Sequence, residues 1–442
     1  LLQGEKMKSH ARVVAVAFCF LAFTKSLPAQ DQGKPLPFRT AIELALRNSA
    51  TSSLSRADLE RARATVTEAR DQFIPSMTVG SALGYSNGFP LSLEGSAPSL
   101  FNVNIQGLLL NAAQHDYVKA AQSDAQATAA QNADRRNDVI LETALSYMQL
   151  DLLDSSIAVQ KEQQEAAAKF QDIASQRVQA GLDSSVELKR AKLVVARTQL
   201  DIARTRAAAD ALRLRLSQLT GLPAPSIQTS TETIPQLPSV SQDDDLPSQA
   251  LGRNPAVTMA EALASAKEFR AQAERKQLYP TVDLAGQYAV LAKYNNYAEF
   301  FKTFERNNLS IGVVIRFPFF NSTLRSAANV ARFDAVKARQ EARTVKEQVS
   351  EETLKLQRSV QQFVAARDVA QLEHELAESD IDTTHAKIET GGASLKDEEN
   401  ARVAEHERYT AYLSSSFDLD KAQVQLLRQT GELENWALGP KR

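Results

Sequence analysis

The sequence predicts a mixed α/β membrane protein. Four β-strands per chain contribute to a β-barrel shared between chains, long α-helical coiled coils continue it, and the whole is built from two tandem repeats. Three observations predict this: long stretches free of helix breakers, four segments of strict apolar–polar alternation, and a self-match at a shift of 210 residues.

The helices follow from punctuation. No proline occurs between Pro98 and Pro223 or between Pro318 and Pro440, and glycine is absent from 108 to 180 and from 313 to 390. These intervals are rich in Ala, Gln, Glu, Arg and Leu, which cost little in a helix. At a rise of about 1.5 Å per residue, Ala112 to Arg177 would measure roughly 100 Å, and helices that long need a coiled-coil partner. Leu193, Leu200, Ala207 and Leu214 recur every seven residues, with Ala196 and Ala203 between them. Tyr412, Leu419 and Leu426 repeat the pattern near the C-terminus. That spacing marks coiled-coil seams, and their many alanines imply closely packed helices.

The strands follow from period two. Met77, Val79, Leu83 and Tyr85 alternate with Thr78, Gly80 and Gly84, and Phe101, Val103, Ile105 and Leu109 with Asn102, Asn104 and Gln106. In the second half Val282, Leu284, Tyr288 and Val290 alternate with Thr281, Asp283 and Gln287. Leu309, Ile311, Val313, Ile315 and Phe317 alternate with Ser310, Gly312 and Arg316. Segments of about 9–11 residues with this pattern match membrane-spanning strands. They form two hairpins, at 76–110 and 281–317, with connections at 87–99 and 292–306. The second connection carries Tyr294, Tyr297, Phe300, Phe301 and Phe304, suited to an interfacial aromatic belt. Lipid would meet Val313 and Ile315, while Asp283 and Arg316 would face the lumen. Four strands are too few to close a barrel, which takes about eight, and an open edge leaves backbone groups unsatisfied in lipid. The barrel is therefore shared, and the strand count alone allows two, three or four chains.

The repeat orders these elements. At a shift of 210, Asn111 meets Asn321, Asp124-Ala125 meets Asp334-Ala335, and Glu142-Thr143 meets Glu352-Thr353. Gly181 meets Gly391, Ser184 meets Ser394, and Thr220-Gly221 meets Thr430-Gly431; upstream, Ile74-Pro75 meets Tyr279-Pro280 at a shift of 205. Such self-similarity is the mark of a duplicated unit. Repeat 1 covers 30–221 and repeat 2 covers 247–432, each running helix, hairpin, long helix, tip turn, helix. Residues 222–246, with four prolines and Asp243-Asp244-Asp245, form an equatorial linker against the middle of the helices, and 433–442 form a tail. Gly181 and Gly391 stop their helices in the usual glycine position. Ser184 with Glu187, and Ser394 with Asp397, then read as capping boxes for the next helix.

The N-terminal residues set the compartment. Met7, preceded by six further residues, opens a stretch with Lys8, His10 and Arg12, then an apolar run from Val13 to Phe23, then Leu27-Pro28-Ala29. This is the layout of a secretory signal cut after residue 29. Cys19, the only cysteine, lies within it, and bulky Phe18 makes a poor lipoprotein signal, so thiol, disulfide and cysteine–metal chemistry are not expected of the mature chain. A net charge of -2 gives no surplus for nucleic acid, and 43% apolar content is that of a folded chain. Histidines His115, His374, His385 and His406 are scattered, with no H-E-x-x-H or Ser/His/Asp context. No enzyme, cofactor or metal site is expected, and the linker acids read as a solvated charge run.

Leu36-Pro-Phe-Arg-Thr-Ala-Ile-Glu-Leu-Ala-Leu-Arg-Asn48, Ile74-Pro75, Phe317-Pro-Phe-Phe-Asn321, Ala180-Gly181-Leu182 and Leu219-Thr-Gly-Leu-Pro223 stand in an order that resembles the TolC-type outer-membrane efflux proteins. The resemblance covers essentially the whole mature chain. It implies a homotrimer with twelve strands in the outer membrane and a hollow periplasmic cylinder of twelve helices. It implies docking to a periplasmic adaptor and an inner-membrane pump, with the tips Gly181, Leu182, Gly391 and Gly392 meeting the adaptor. It also implies an acidic periplasmic gate at Asp397 and, one turn on, Asn400, where the amide departs from a paired-acid pattern. The alternative for Asp397 is that it only completes the cap with Ser394. The implied function is an exit duct for small molecules in a tripartite efflux system. An exit duct for type I protein secretion is the alternative within the family, and a non-channel periplasmic coiled-coil scaffold the alternative outside it. Metal efflux is disfavoured by the few mature methionines, Met77, Met148 and Met259.

Overall fold

The computed structural model describes residues 35–82, 99–241, 244–291 and 305–439. The signal segment, Cys19, Asp243 and the aromatic connection of the second hairpin lie outside the described residues. In chain order the elements are α1 (Phe38–Asn48), α2 (Ala50–Asp71), β1 (Ser76–Ala82), β2 (Ser99–Leu110), α3 (Ala112–Gln179), α4 (Ser185–Thr220), α5 (Leu246–Arg253) and α6 (Pro255–Lys276). Then come β3 (Thr281–Leu291), β4 (Asn307–Arg316), α7 (Ser322–Glu389), α8 (Leu395–Thr430) and α9 (Leu433–Leu438).

The duplication is visible element by element. The long helices α3 and α7 are 68 residues each, and α4 and α8 are 36 each. Helices α2 and α6 are 22 residues each. Each long helix starts at an asparagine whose side chain accepts backbone N–H bonds of the first turn: Asn111 from Ala113 and Gln114, Asn321 from Leu324. These caps satisfy donors that a helix start leaves open. Thr143 and Thr353 are both fully buried, and each donates its hydroxyl to the carbonyl four residues back at 2.7 Å. Among the described residues, no helix is long and apolar enough to cross a membrane.

The four strands form one antiparallel sheet in the order β1-β2-β3-β4. Its register sorts the side chains by polarity. Val79 faces Val103, Val103 faces Tyr288, and Tyr288 faces Leu309. One step along, on the other face, Thr78 faces Asn104, Asn104 faces Gln287, and Gln287 faces Ser310. Because successive side chains alternate between faces, one register places an apolar row on one side and an amide–hydroxyl row on the other. The apolar face is uncovered: Met77, Val79, Ile311 and Val313 are all more than half exposed.

The main core sits at the middle of the long helices. Tyr147, Phe38, Ile42, Ile140, Leu150 and Leu216 are fully buried there, joined by Leu433 from α9. The equatorial segment crosses this level. Tyr147 receives the N–H of Ser230, and Trp436 donates its indole N–H to the Gln236 carbonyl. In the other half Gln357 donates its amide to the carbonyls of Ser241 and Asp244, at 2.9 and 3.1 Å. Tyr147 and Gln357 are the same position of the two repeats, 210 residues apart. One repeat site therefore serves twice as the anchor of a segment that has no counterpart in the duplication.

The heptad of α4 behaves differently from its expected role. The helix buries Ala191, Ile202, Ala209 and Leu216, whereas Leu193, Leu200 and Leu214 are about half exposed. The leucine row is an exposed apolar stripe, separate from the residues α4 buries within the chain. By contrast Leu419 and Leu426 of α8 are buried within the chain.

Candidate functional site

Three surfaces carry the functional expectations: the sheet, the helical tips, and the start of α8. On the sheet, Asp283 and Arg316 occupy the polar face and are ion-paired. Asp283 faces Val314 and Arg316 faces Thr281, so the pair is diagonal across β3 and β4. The Asp283 side chain is 11% exposed and that of Arg316 is 69% exposed. Alternation alone put both residues on one face, but the pairing needed the register. The pair borders a cavity of about 780 Å³ between the sheet and α2, to which Glu68, Asp71 and Gln106 also contribute. Where the strands meet the helices, Phe317, Phe319, Phe320 and Tyr279 are at least half exposed. Aromatic residues at strand ends suit a membrane–water boundary. The aromatic belt expected in the opposite connection lies outside the described residues.

The tips share one backbone solution. Gly181 has φ +72 and Gly391 φ +77, a left-handed conformation that L side chains resist by about 1–2 kcal/mol. Leu182 N–H reaches the Arg177 carbonyl at 2.9 Å, and Gly392 N–H the Lys387 carbonyl at 2.7 Å, the six-to-one bond of a glycine-stopped helix. A side chain at Gly181 or Gly391 would meet nothing within 4 Å, so backbone conformation alone calls for glycine. Leu182 is 68% exposed at its tip.

The two tips then diverge. Ser394 and Asp397 form a complete capping box: Asp397 N–H donates to Ser394 Oγ at 3.3 Å, and Ser394 N–H donates to Asp397 Oδ2 at 2.8 Å. The Ser394 hydroxyl also donates to that oxygen at 2.6 Å. These bonds hold the Asp397 carboxyl below the usual carboxylate range, so it stays charged at neutral pH. The box expected at Ser184 and Glu187 does not form. Ser184 makes no side-chain cap, and Glu187 instead pairs with Arg190 at 2.7 Å. The first tip is braced by Arg177 and Asp183, 2.7 Å apart, a pair available because Asp183 precedes Ser184 where the second tip has Ala393. Asn400, one turn beyond Asp397, is exposed. Glu398 is engaged by Arg402 at 2.8 Å.

Among the described residues, His374, Glu378 and Glu405 are the histidine and acid side chains that converge closely enough to hold an ion. They come from α7 and α8, 27 and 31 residues apart, so no sequence spacing announced them.

The outer membrane efflux protein family model matches residues 41–222 and 246–432, both halves of the duplication. In sequence the chain is similar to Protein CyaE of Bordetella pertussis, 26% identical over 308 residues, which are 67% of this chain and 63% of that protein's length. In structure it is similar to the CmeC outer membrane channel of Campylobacter jejuni, with TM-score 0.75 and 15% identity over 90% of this chain and 86% of that one. It is likewise similar to the open state of the MtrE outer membrane channel of Neisseria gonorrhoeae, with TM-score 0.73 and 16% identity over 90% of each chain. These likenesses fit the fold, and the family match places the protein in the outer membrane with its helices extending into the periplasm. The match runs through the helices, strands and tips of both halves, and on it the chain belongs to the outer membrane efflux protein family.

Proposed function

We propose that the protein is a homotrimeric exit duct that carries small molecules across the outer membrane as the last component of a tripartite efflux system. The observation that carries this reading is the open sheet. Among the described residues its outer strands β1 and β4 each leave one edge unpaired, and its apolar face is bare. Three copies joined edge to edge supply twelve strands, enough to close a barrel. Lipid then covers the apolar face, and Asp283 and Arg316 line the interior.

The helices support the same assembly. The uncovered leucines of α4 form one apolar stripe, and Val369, Leu372 and Leu376 of α7, all more than half exposed, form another. Each suits a neighbouring protomer, because coiled-coil stripes of this kind bury themselves against a partner. The tips Gly181, Leu182, Gly391 and Gly392 then stand at the periplasmic end, where a periplasmic adaptor and through it an inner-membrane pump dock. Type I protein secretion would use the same duct, since the pump selects the cargo; the pump that co-purifies separates the two.

Mass measurement of the detergent-stripped particle tests the assembly. Three chains are expected, in material that fractionates with outer membranes. A monomer would remove both barrel and duct, and a soluble coiled-coil particle would favour the scaffold.

At the mouth, three copies of Asp397 and Asn400 form the periplasmic gate, with Asp397 both capping α8 and presenting its charge to the axis. A ring of like charges concentrates cations. Asp397→Asn should therefore lower cation selectivity in bilayer recordings while leaving the trimer assembled. Unchanged selectivity in an intact trimer would leave Asp397 as a cap alone.

A further inference from the structure

We propose that His374, Glu378 and Glu405 form a binding site for a divalent transition-metal ion of the zinc type, which clips α7 to α8 above the second tip. The reading rests on where one imidazole nitrogen points. His374 Nε2 lies 2.9 Å from Glu405 Oε1 across the helical hairpin and 3.9 Å from Glu378 Oε1 on its own helix. All three potential ligand atoms fall within 4.8 Å of one another. Bonds of about 2.1 Å from a tetrahedral ion to N and O ligands would set its ligand atoms about 3.4 Å apart, a spacing these atoms reach by changes in separation of about 0.5 Å to at most about 1.4 Å.

A hydrogen bond between His374 and Glu405 accounts for one of the two carboxylates. Glu378 approaches the same nitrogen at 3.9 Å from one turn along α7. Residues four apart lie on one face of a helix, so His374 and Glu378 make a two-ligand face on α7, and Glu405 closes it from α8. The imidazole is held in place: its side chain is 15% exposed, and the rings of Tyr409 and Tyr412 flank it at 5.1 and 6.3 Å between centroids. A fixed imidazole is a preorganised ligand, which lowers the cost of binding.

The surroundings favour a cation. His374 opens on a cavity of about 500 Å³ between all four long coiled-coil helices. Besides the two ligand carboxylates, Glu162, Asp201, Glu399 and Glu407 line it, against Arg197 and Arg402. Six acids facing two guanidinium groups give the space a negative potential. A nitrogen ligand with two carboxylates suits zinc and its first-row neighbours; calcium and magnesium prefer all-oxygen sets. Glu378 is 61% exposed, which leaves a route for the ion from solvent.

The consequence is mechanical. His374 lies 15 residues before Glu389, the end of α7, so the clip stands about 22 Å above the tip. An ion there adds a coordinate tie between two helices already joined by packing, by the His374–Glu405 contact and by the Glu373–Arg408 ion pair. The site is intrachain and is independent of the exit-duct reading, because binding is measured on the chain whatever it conducts.

The full-length protein, purified in detergent and dialysed against chelator, is titrated with Zn²⁺ and its bound zinc counted by elemental analysis. One ion per chain is expected, together with a zinc-dependent rise in the unfolding temperature of the helical signal. His374→Gln and Glu378→Gln should each weaken binding at least about tenfold and abolish that rise. Glu373→Gln, which removes a partner of Arg408 beside the site, should leave both unchanged. Glu378 is exposed, so its variant folds even if His374→Gln does not. Absence of saturable binding in the parent protein, or full affinity retained in Glu378→Gln, overturns the proposal.

Discussion

Arginine in place of Val313 will destabilise the membrane-inserted protein by about 2–4 kcal/mol, the cost of a cationic side chain on the lipid face near the bilayer midplane. Val313 is more than half exposed, faces Leu284 across the ladder, and lies on the face that also holds Val282, Ile311 and Ile315. It stands fourth from the helical end of the ten-residue strand β4, well inside the hydrocarbon if the strand spans it. The matched control is Ser310→Arg, on the same strand and paired with Gln287 on the polar face. That variant keeps its charge in the watery interior and should unfold within about 1 kcal/mol of the parent. Urea unfolding from lipid vesicles measures both. Should Ser310→Arg prove the costly one, the two faces of the barrel are exchanged.

That experiment tests the part of the fold most legible in the sequence. A strand's face is set by parity, so Val313 and Ile315 part from Ser310 and Arg316 without knowledge of any partner. The long helices were equally open to reading, since absence of Gly and Pro over scores of residues is a local property. The duplication needed only the chain's comparison with itself. What parity and periodicity could not supply was partnership. The leucines at 193, 200 and 214 announced a seam but not whose, and the chain's own seam on α4 runs through Ala191, Ile202, Ala209 and Leu216. The reason is that four helices of similar composition offer each helix more than one apolar stripe, and the choice among them is made by tertiary packing.

The candidate sites divide along the same line. Glycine stops at 181 and 391 were readable because left-handed backbone nearly demands that residue. The matching Ser-x-x-Glu and Ser-x-x-Asp patterns were not equivalent. Aspartate has the shorter reach and returns to its own cap at Ser394, while the longer Glu187 is drawn to Arg190, three residues on. Asp283 and Arg316 were found by polarity, yet their pairing depends on a ladder register that a single sequence does not state. His374, Glu378 and Glu405 lay beyond reach for a simpler reason: two helices of a hairpin bring together residues whose separation varies with every insertion in the tip.

The largest loss of stability is expected in the equatorial core, at Tyr147. Its ring is fully buried and sits edge-on to Phe38 at 5.4 Å, and Phe38 in turn packs on Trp436 at 5.4 Å. Its hydroxyl donates to the Leu36 carbonyl at 2.6 Å and accepts the Ser230 N–H at 2.8 Å. One side chain at the midpoint of α3 thus holds the entry to α1, the equatorial segment and, through Phe38, the C-terminal helix α9. Tyr147→Ala removes the ring from a site with no room to refill it, a loss of about 3–5 kcal/mol. Tyr147→Phe keeps the packing and takes away only the hydroxyl. Ser230 N–H then loses its acceptor in a half-buried setting, at about 1–3 kcal/mol. Thermal unfolding followed by helical circular dichroism should rank the parent above Phe and Phe above Ala. Limited proteolysis should cut residues 222–241 faster in Tyr147→Phe, because that segment loses an anchor while the helices beneath it keep theirs. Equal cutting rates would mean that Trp436 and the Gln357 amide hold the segment without Tyr147.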